Sequence, residues 1–247
     1  LCVLSFGIGY TTKDKRDIDT EQESQNAYPL LAKRLFVENP NDVIINFSEL
    51  RNTLSAYMKN NNLQGSLYFE YLPTGTSVRV QGDDELVAAS LMKIPVVMEL
   101  YRAAELGRID LDKKVPIQRE WLDDKFGTLY KKGEGYELSL RETAQIALAE
   151  SDNTAISAIL YSTKDILKLD ENVINSLDVS FERNEELLLS ISARSYGSFL
   201  KCLYFSCYLN KADSQEILGY LTESTFNNRL RAGVPENVQV AHKIGTF

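Results

Sequence analysis

Ser90 and Lys93, in the stretch Ala88-Ala89-Ser90-Leu91-Met92-Lys93-Ile94-Pro95-Val96, set a hydroxyl and an amine three residues apart. The apolar residues that follow, Ile94, Val97, Met98, Tyr101 and Ala104, keep helical spacing. The pair is therefore expected on one face of a helix, near its start. That placement suits a nucleophile and its base, provided that burial or a second cation lowers the pKa of the amine. Unpaired N–H groups at the helix start would also favour an oxyanion beside Ser90. Taken alone, the same residues equally describe a helix cap with a solvated lysine one turn on. A second Ser-x-x-Lys, Ser198 to Lys201, reads as ordinary helix surface.

Two later stretches offer matching chemistry. Ser151-Asp152-Asn153 interrupts a helical pattern and presents a hydroxyl and an amide, although alone it is also a plain helix stop followed by a cap. Lys243-Ile244-Gly245-Thr246 ends a run from Val238 whose pattern predicts a strand. His242, beside Lys243, reads as a packing or capping residue.

The elements that must position these groups are partly legible. Ser48 is expected to cap a helix with apolar Leu50, Leu54, Tyr57 and Met58, ended by Asn60-Asn61-Asn62. Residues 65–80, with the turn Pro73-Thr74-Gly75, read as a hairpin. The Ser90 helix should end near Gly107. Ser139 and Glu142 form a capping-box pattern that opens the next helix, and Thr154 to Tyr161 resumes one after Ser151-Asp152-Asn153. Residues 162–190 are acidic and irregular, and Ser192 to Tyr208 is a strongly apolar helix. A hairpin, then helices, then a strand predicts an α+β architecture.

Composition narrows the function. The 247 residues, 44% hydrophobic and 25% charged, suit a globular protein with a substantial core. A net charge of −8 with scattered basic residues argues against nucleic-acid binding. His242 is the single histidine, so a Ser-His-Asp triad or a His-rich zinc site is a poor prospect. Cys202 and Cys207, five apart in a helix-like run, should not share a face and read as packing residues. Leu1 to Tyr10 is too short to span a bilayer, and resembles the far end of a signal peptide or anchor. A buried strand is the alternative. Residues 11–27 read as a polar tether.

In order along the chain, Ser90-x-x-Lys93, Ser151-Asp152-Asn153 and Lys243-Ile244-Gly245 resemble the S-x-x-K, S-D-N and K-T-G set of class A β-lactamases and penicillin-binding proteins. The resemblance runs from about Ser48 to the last residue. It implies helices around an antiparallel sheet in three layers, with an all-helical lobe. It also implies an acyl-enzyme on Ser90, with Lys93 orienting the nucleophile and sharing in its deprotonation. Ser151 would relay a proton to the leaving nitrogen, Asn153 would bind the substrate's side-chain amide, and Lys243 would favour a substrate carboxylate. The N–H groups of Ser90 and Thr246 would form the oxyanion hole, and Gly245 would leave the strand edge bare for substrate. No cofactor or metal is implied. The expected partner is a β-lactam or an acyl-D-Ala-D-Ala-like molecule, met by a monomer outside the cytoplasm, tethered only by its N-terminus.

Two departures matter. Ile244 stands where the family has Thr or Ser, removing a hydroxyl that Thr246 could replace. Arg183-Asn184-Glu185-Glu186-Leu187-Leu188-Leu189 follows the family's Arg-x-Glu-x-x-Leu-Asn, but with Leu189 for Asn and on a shorter loop. Glu185 is the expected deacylating base, Glu186 its rival, and a solvated acidic helix end the alternative. A working base implies β-lactam hydrolysis and antibiotic resistance. Without one, the chain would be a D-alanyl-D-alanine carboxypeptidase or a β-lactam sensor. A non-catalytic binding domain on the same fold is a third reading. The resembled fold continues past the Lys243 strand with two strands and a helix, so residues 28–247 are expected to be a catalytic domain truncated at its C-terminus. The front hairpin is then expected not to pair with residues 238–245.

Overall fold

The computed structural model describes residues 29–30, 47–168, 170–177, 179, 182–183 and 189–246. Residues 1–27, read as anchor and tether, lie outside them. Helix α1, Ser48–Asn60, opens the described fold. Phe47 holds its cap position and makes no side-chain cap bond, so Ser48 lies inside the helix rather than capping it. The Phe47 ring instead meets Phe69 and Tyr71 edge-on at 5.3 and 6.0 Å, fixing the helix start on the hairpin. That hairpin is β1, Leu67–Tyr71, and β2, Thr76–Val80, antiparallel with Leu67 opposite Val80.

A short strand, β3 (Glu85–Val87), leads into a 3-10 turn over Ala89–Met92 and then α2, Lys93–Glu105. Helix α2 is the centre of the core. Its Ile94, Val97, Met98, Leu100 and Tyr101 have no exposed surface. Such side chains each contribute about 2 kcal/mol by leaving water. Strand β4 (Lys114–Pro116) pairs with β5 (Glu137–Ser139), which runs straight into α3, Leu140–Ala149. The expected capping box is formed: Glu142 N–H donates to Ser139 Oγ at 3.1 Å, and Ser139 N–H donates to Glu142 Oε2 at 2.8 Å. Helix α4, Asn153–Ser162, follows after three residues.

Strands β6 (Glu182–Arg183) and β7 (Leu189–Ser192) then form an antiparallel sheet ordered β3-β7-β6. Helix α5, Ala193–Phe205, is capped by Ser192, and α6, Lys211–Thr222, by Asn210. Buried Ala144, Ala147 and Leu148 of α3, Ala155, Ala158 and Ile159 of α4, Phe199 and Leu203 of α5, and Ile217 and Leu221 of α6 complete one core with α2. The α+β class stands, built from small antiparallel sheets.

Two further expectations are corrected. Residues 238–246 form no strand: no described segment pairs with them in a ladder. His242 N–H is instead tied to Leu221 O at 3.0 Å. The hairpin does not pair with this stretch, as anticipated. Cys202 and Cys207, taken as separate packing residues, are joined in a disulfide with Cα atoms 5.1 Å apart. Helix α5 stops between them: Ser206 turns left-handed (φ 52°), and Cys207 N–H folds back onto Cys202 O at 3.0 Å. Helical spacing therefore no longer separates the two sulfurs. Among the described residues no helix is long and apolar enough to cross a membrane, and no cluster of His, Cys, Asp or Glu is placed to hold a metal.

Candidate active site

Ser90 is presented by an abrupt change of direction. Ala88 N–H still pairs with Leu189 O at 2.9 Å, as if β3 continued. Ala89 then takes a left-handed conformation (φ 46°), which turns the chain into the 3-10 turn that holds Ser90. A non-glycine residue there stores roughly 1–2 kcal/mol of strain. The turn is braced from behind, where Tyr196 OH of α5 donates to Leu91 O at 3.2 Å.

Ser151 is the second strained position, also left-handed (φ 57°), between α3 and α4. Its setting is fixed by Asp152, which is fully buried. Ala155 N–H donates to Asp152 Oδ1 at 2.9 Å, capping α4, and Leu129 N–H donates to Oδ2 at 2.8 Å. Asn153 N–H reaches Phe126 O at 3.0 Å. Gly127 makes room for this arrangement, since a Cβ there would lie 1.9 Å from Asp152 Oδ2. Nothing in the sequence singles out Gly127, and Asp152 shows there only as a member of Ser151-Asp152-Asn153. An Asp followed by a helical run was the available sign of the cap.

Two expected residues converge on Ser151, and a third, Asn153, meets one of them. Lys93 Nζ donates to Ser151 O, to Asn153 Oδ1 at 2.9 Å and to Ser151 Oγ at 3.4 Å. Lys243 Nζ donates to the same Oγ at 2.6 Å and to Ile244 O at 3.0 Å. Lys93 is 4% exposed. Burial lowers its pKa to about 8, against an opposing pull from Asp152 and Asp123. Burial, and then the charge of Lys93, lowers Lys243 to about 7. An ammonium at Lys93 directs three protons at three acceptors. The neutral amine keeps two of them and gains a lone pair.

The remaining residues fall less simply. Ser90 is half-buried, and Lys93 is turned to Ser151 and Asn153 rather than to its hydroxyl. Gly245 does not border an open edge as expected: a Cβ there would lie 3.0 Å from Leu91 Cγ and 3.1 Å from Ala88 O. The third motif is packed directly on the Ser90 turn, and any side chain at 245 would force Leu91 or the Ala88 carbonyl to shift. Ile244 is buried, whereas Thr246 is half-exposed with Arg229 Nη2 3.5 Å from its hydroxyl. Arg229, a cation unnoticed in the sequence, lies seventeen residues before the group it meets. His242 is buried, its pKa lowered by burial and by Arg231 and Lys243. Lys201, from the second Ser-x-x-Lys, bonds Glu70 of the hairpin at 3.1 Å, away from these groups. Glu185 and Glu186 lie outside the described residues.

Comparison with known proteins bears on the family and the fold. A sequence model of the beta-lactamase enzyme family matches residues 49–247. Beta-lactamase VEB-1 of Pseudomonas aeruginosa is 23% identical over 186 residues, 69% of this chain and 62% of that enzyme, so less than two thirds of the relative is spanned. Among solved structures, the penicillin G acyl-enzyme complex of a PBP-A point mutant superposes with a TM-score of 0.73 at 21% identity, over 81% of this chain and 78% of its own. A beta-lactamase from Chitinophaga pinensis gives 0.70 at 22%, over 79% and 78%. An ancestral class A beta-lactamase gives 0.71 at 23%, over 80% of each chain. These likenesses establish a β-lactamase/transpeptidase-like fold.

Proposed function

Because the chain belongs to the beta-lactamase enzyme family, we propose that it is a class A-related serine hydrolase that opens β-lactam amides through an acyl-enzyme on Ser90. The observation that carries this reading is the convergence of Lys93, one turn on from Ser90, and Lys243 on Ser151. Ser90 Oγ attacks the lactam carbonyl carbon while its proton passes to neutral Lys93 Nζ. Ser151 Oγ, which accepts from Lys243, has its own proton free to give to the leaving nitrogen, and Lys93 replaces it. The C–N bond breaks and Ser90 carries the acyl group. N–H groups of Ser90 and Thr246 hold the oxyanion, each donor worth about 3 kcal/mol of barrier. Asn153 borders the bound substrate, and Lys243 attracts its carboxylate, with Arg229 and Thr246 nearby. Glu185 then activates the water that releases the product. The Cys202–Cys207 disulfide supports an oxidising, extracytoplasmic location.

Leu189 favours a second reading. It stands where the resembled family has Asn, and its carbonyl is engaged by Ala88. With one polar group fewer to hold water, deacylation slows, giving a penicillin-binding peptidase or sensor. Intact-mass spectrometry with penicillin G separates the cases. Wild type should gain one acyl adduct and Ser90→Ala none. Rapid loss of the adduct indicates the lactamase, and a stable one the peptidase or sensor. An adduct that survives Ser90→Ala would place the nucleophile elsewhere, and no adduct on wild type would indicate a binding domain.

A further inference from the structure

Two carboxylates are buried among the described residues, Asp152 and Glu99. Asp152 shapes the Ser151 turn. Glu99 lies in the middle of α2, 2% exposed, and the reaction makes no use of it. Each of its oxygens is held by a different element. Asn172 Nδ2 donates to Oε1 at 2.6 Å, and Tyr208 OH donates to Oε2 at 2.7 Å. Both partners are neutral. A buried carboxylate whose described partners are neutral donors costs more to bury than an apolar side chain of its size, so packing alone does not account for it.

Its two arms lead to different places. Tyr208 follows the disulfide-bonded Cys207 at the end of α5, with Arg102 of α2 over its ring at 5.9 Å. Asn172 belongs to a single π-type turn, Asp170–Ile174, whose Val173 and Ile174 are buried in the core. This turn begins the stretch that returns as β7, where Leu189 O pairs with Ala88 beside the Ser90 turn. The far end of that stretch is thus held by strand pairing and the near end by Glu99.

We propose that Glu99 is a positioning residue that, through Asn172, fixes the 170–177 segment on the helix carrying Lys93, and that deacylation depends on this fixation. The inference rests on the reading that the deacylating base comes from the stretch between Asn172 and β7. Gln at 99 keeps both bonds possible, since its oxygen accepts from Asn172 and its amide donates to the Tyr208 hydroxyl. Met keeps the volume and loses both.

The test compares Glu99→Gln, Glu99→Met, Asn172→Ala and Tyr208→Phe by hydrogen exchange over residues 173–177 and by the rate of formation and lifetime of the penicillin G adduct. Asn172→Ala and Glu99→Met should speed exchange there and lengthen the adduct's life roughly tenfold, the scale of one lost hydrogen bond to a charged group. Acylation should be unchanged. Glu99→Gln should behave as wild type, and Tyr208→Phe should lower the melting temperature with the lifetime kept. Equal lifetimes in wild type and Asn172→Ala, or the same lengthening in Tyr208→Phe, would overturn the proposal and leave Glu99 a structural residue. Should Glu99→Met fail to fold, Asn172→Ala and Glu99→Gln still decide. If wild type forms no adduct, the proposed function fails separately. The exchange data then decide alone, with faster exchange in Asn172→Ala supporting the fixation and unchanged exchange overturning it.

Discussion

Two amines crowd one hydroxyl at Ser151, and their pKa values pull in opposite directions for catalysis. Lys93 must be neutral to take a proton from Ser90, so acylation should rise as pH climbs through about 8. Lys243 must be charged to attract a carboxylate, and that charge is lost as pH climbs through about 7. For an anionic penicillin, kcat/KM should therefore peak between these two values. A β-lactam methyl ester, which lacks the carboxylate, should show only the rising limb. Lys243→Arg, charged throughout this range, should remove the falling limb and leave the rising one. Chromogenic turnover from pH 5 to 9 measures both limbs. A flat profile for the ester would remove Lys93 as the base.

The turn between α3 and α4 shows how an element, rather than a residue, makes the site. Ser151 is aimed by Asp152, and Asp152 has room only because residue 127 is glycine, in a left-handed conformation (φ 90°). Gly127→Ala should displace the Asp152 carboxylate from Leu129 and Ala155, costing about 3 kcal/mol for two buried bonds and a strained backbone. Penicillin labelling should slow at least as severely as the fold weakens, read by urea denaturation beside the labelling rate. Wild-type labelling in Gly127→Ala would show that Asp152 does not position Ser151. Elements of this kind were unevenly legible. The Ser139–Glu142 box and the apolar stripe of α2 could be read because their chemistry is local, within one helical turn. Strand β7 and the Gly127–Asp152 contact could not, since each exists only through a partner far away in sequence. Residues 238–245 show the converse: their alternation was visible, but alternation alone makes no strand without a neighbour to pair with.

At the scale of the whole molecule, the order of three motifs carried the fold, while the way the chain closes on itself was hidden. Cys202 and Cys207 sit in one continuous apolar run, and nothing in its spacing marks Ser206 as the residue that leaves the helix. The resulting disulfide closes a loop of only six residues, which by chain entropy is worth about 2 kcal/mol. The core around α2 is continuous through α3, α4, α5 and α6 without it. Domains of this kind are held by roughly 5–15 kcal/mol, so the reduced protein should stay folded. Its melting temperature should fall by about 4–8 °C, by the usual entropy of unfolding for this size. The paired variant Cys202→Ser with Cys207→Ser should match reduced wild type. Labelling of Ser90 should be unaffected, because the disulfide ends α5 whereas Tyr196, near its start, is the residue that braces the Ser90 turn. Calorimetry with and without reductant, beside penicillin labelling of both forms, checks each part. Loss of cooperative unfolding on reduction would show that the core does not suffice and that folding depends on an oxidising compartment.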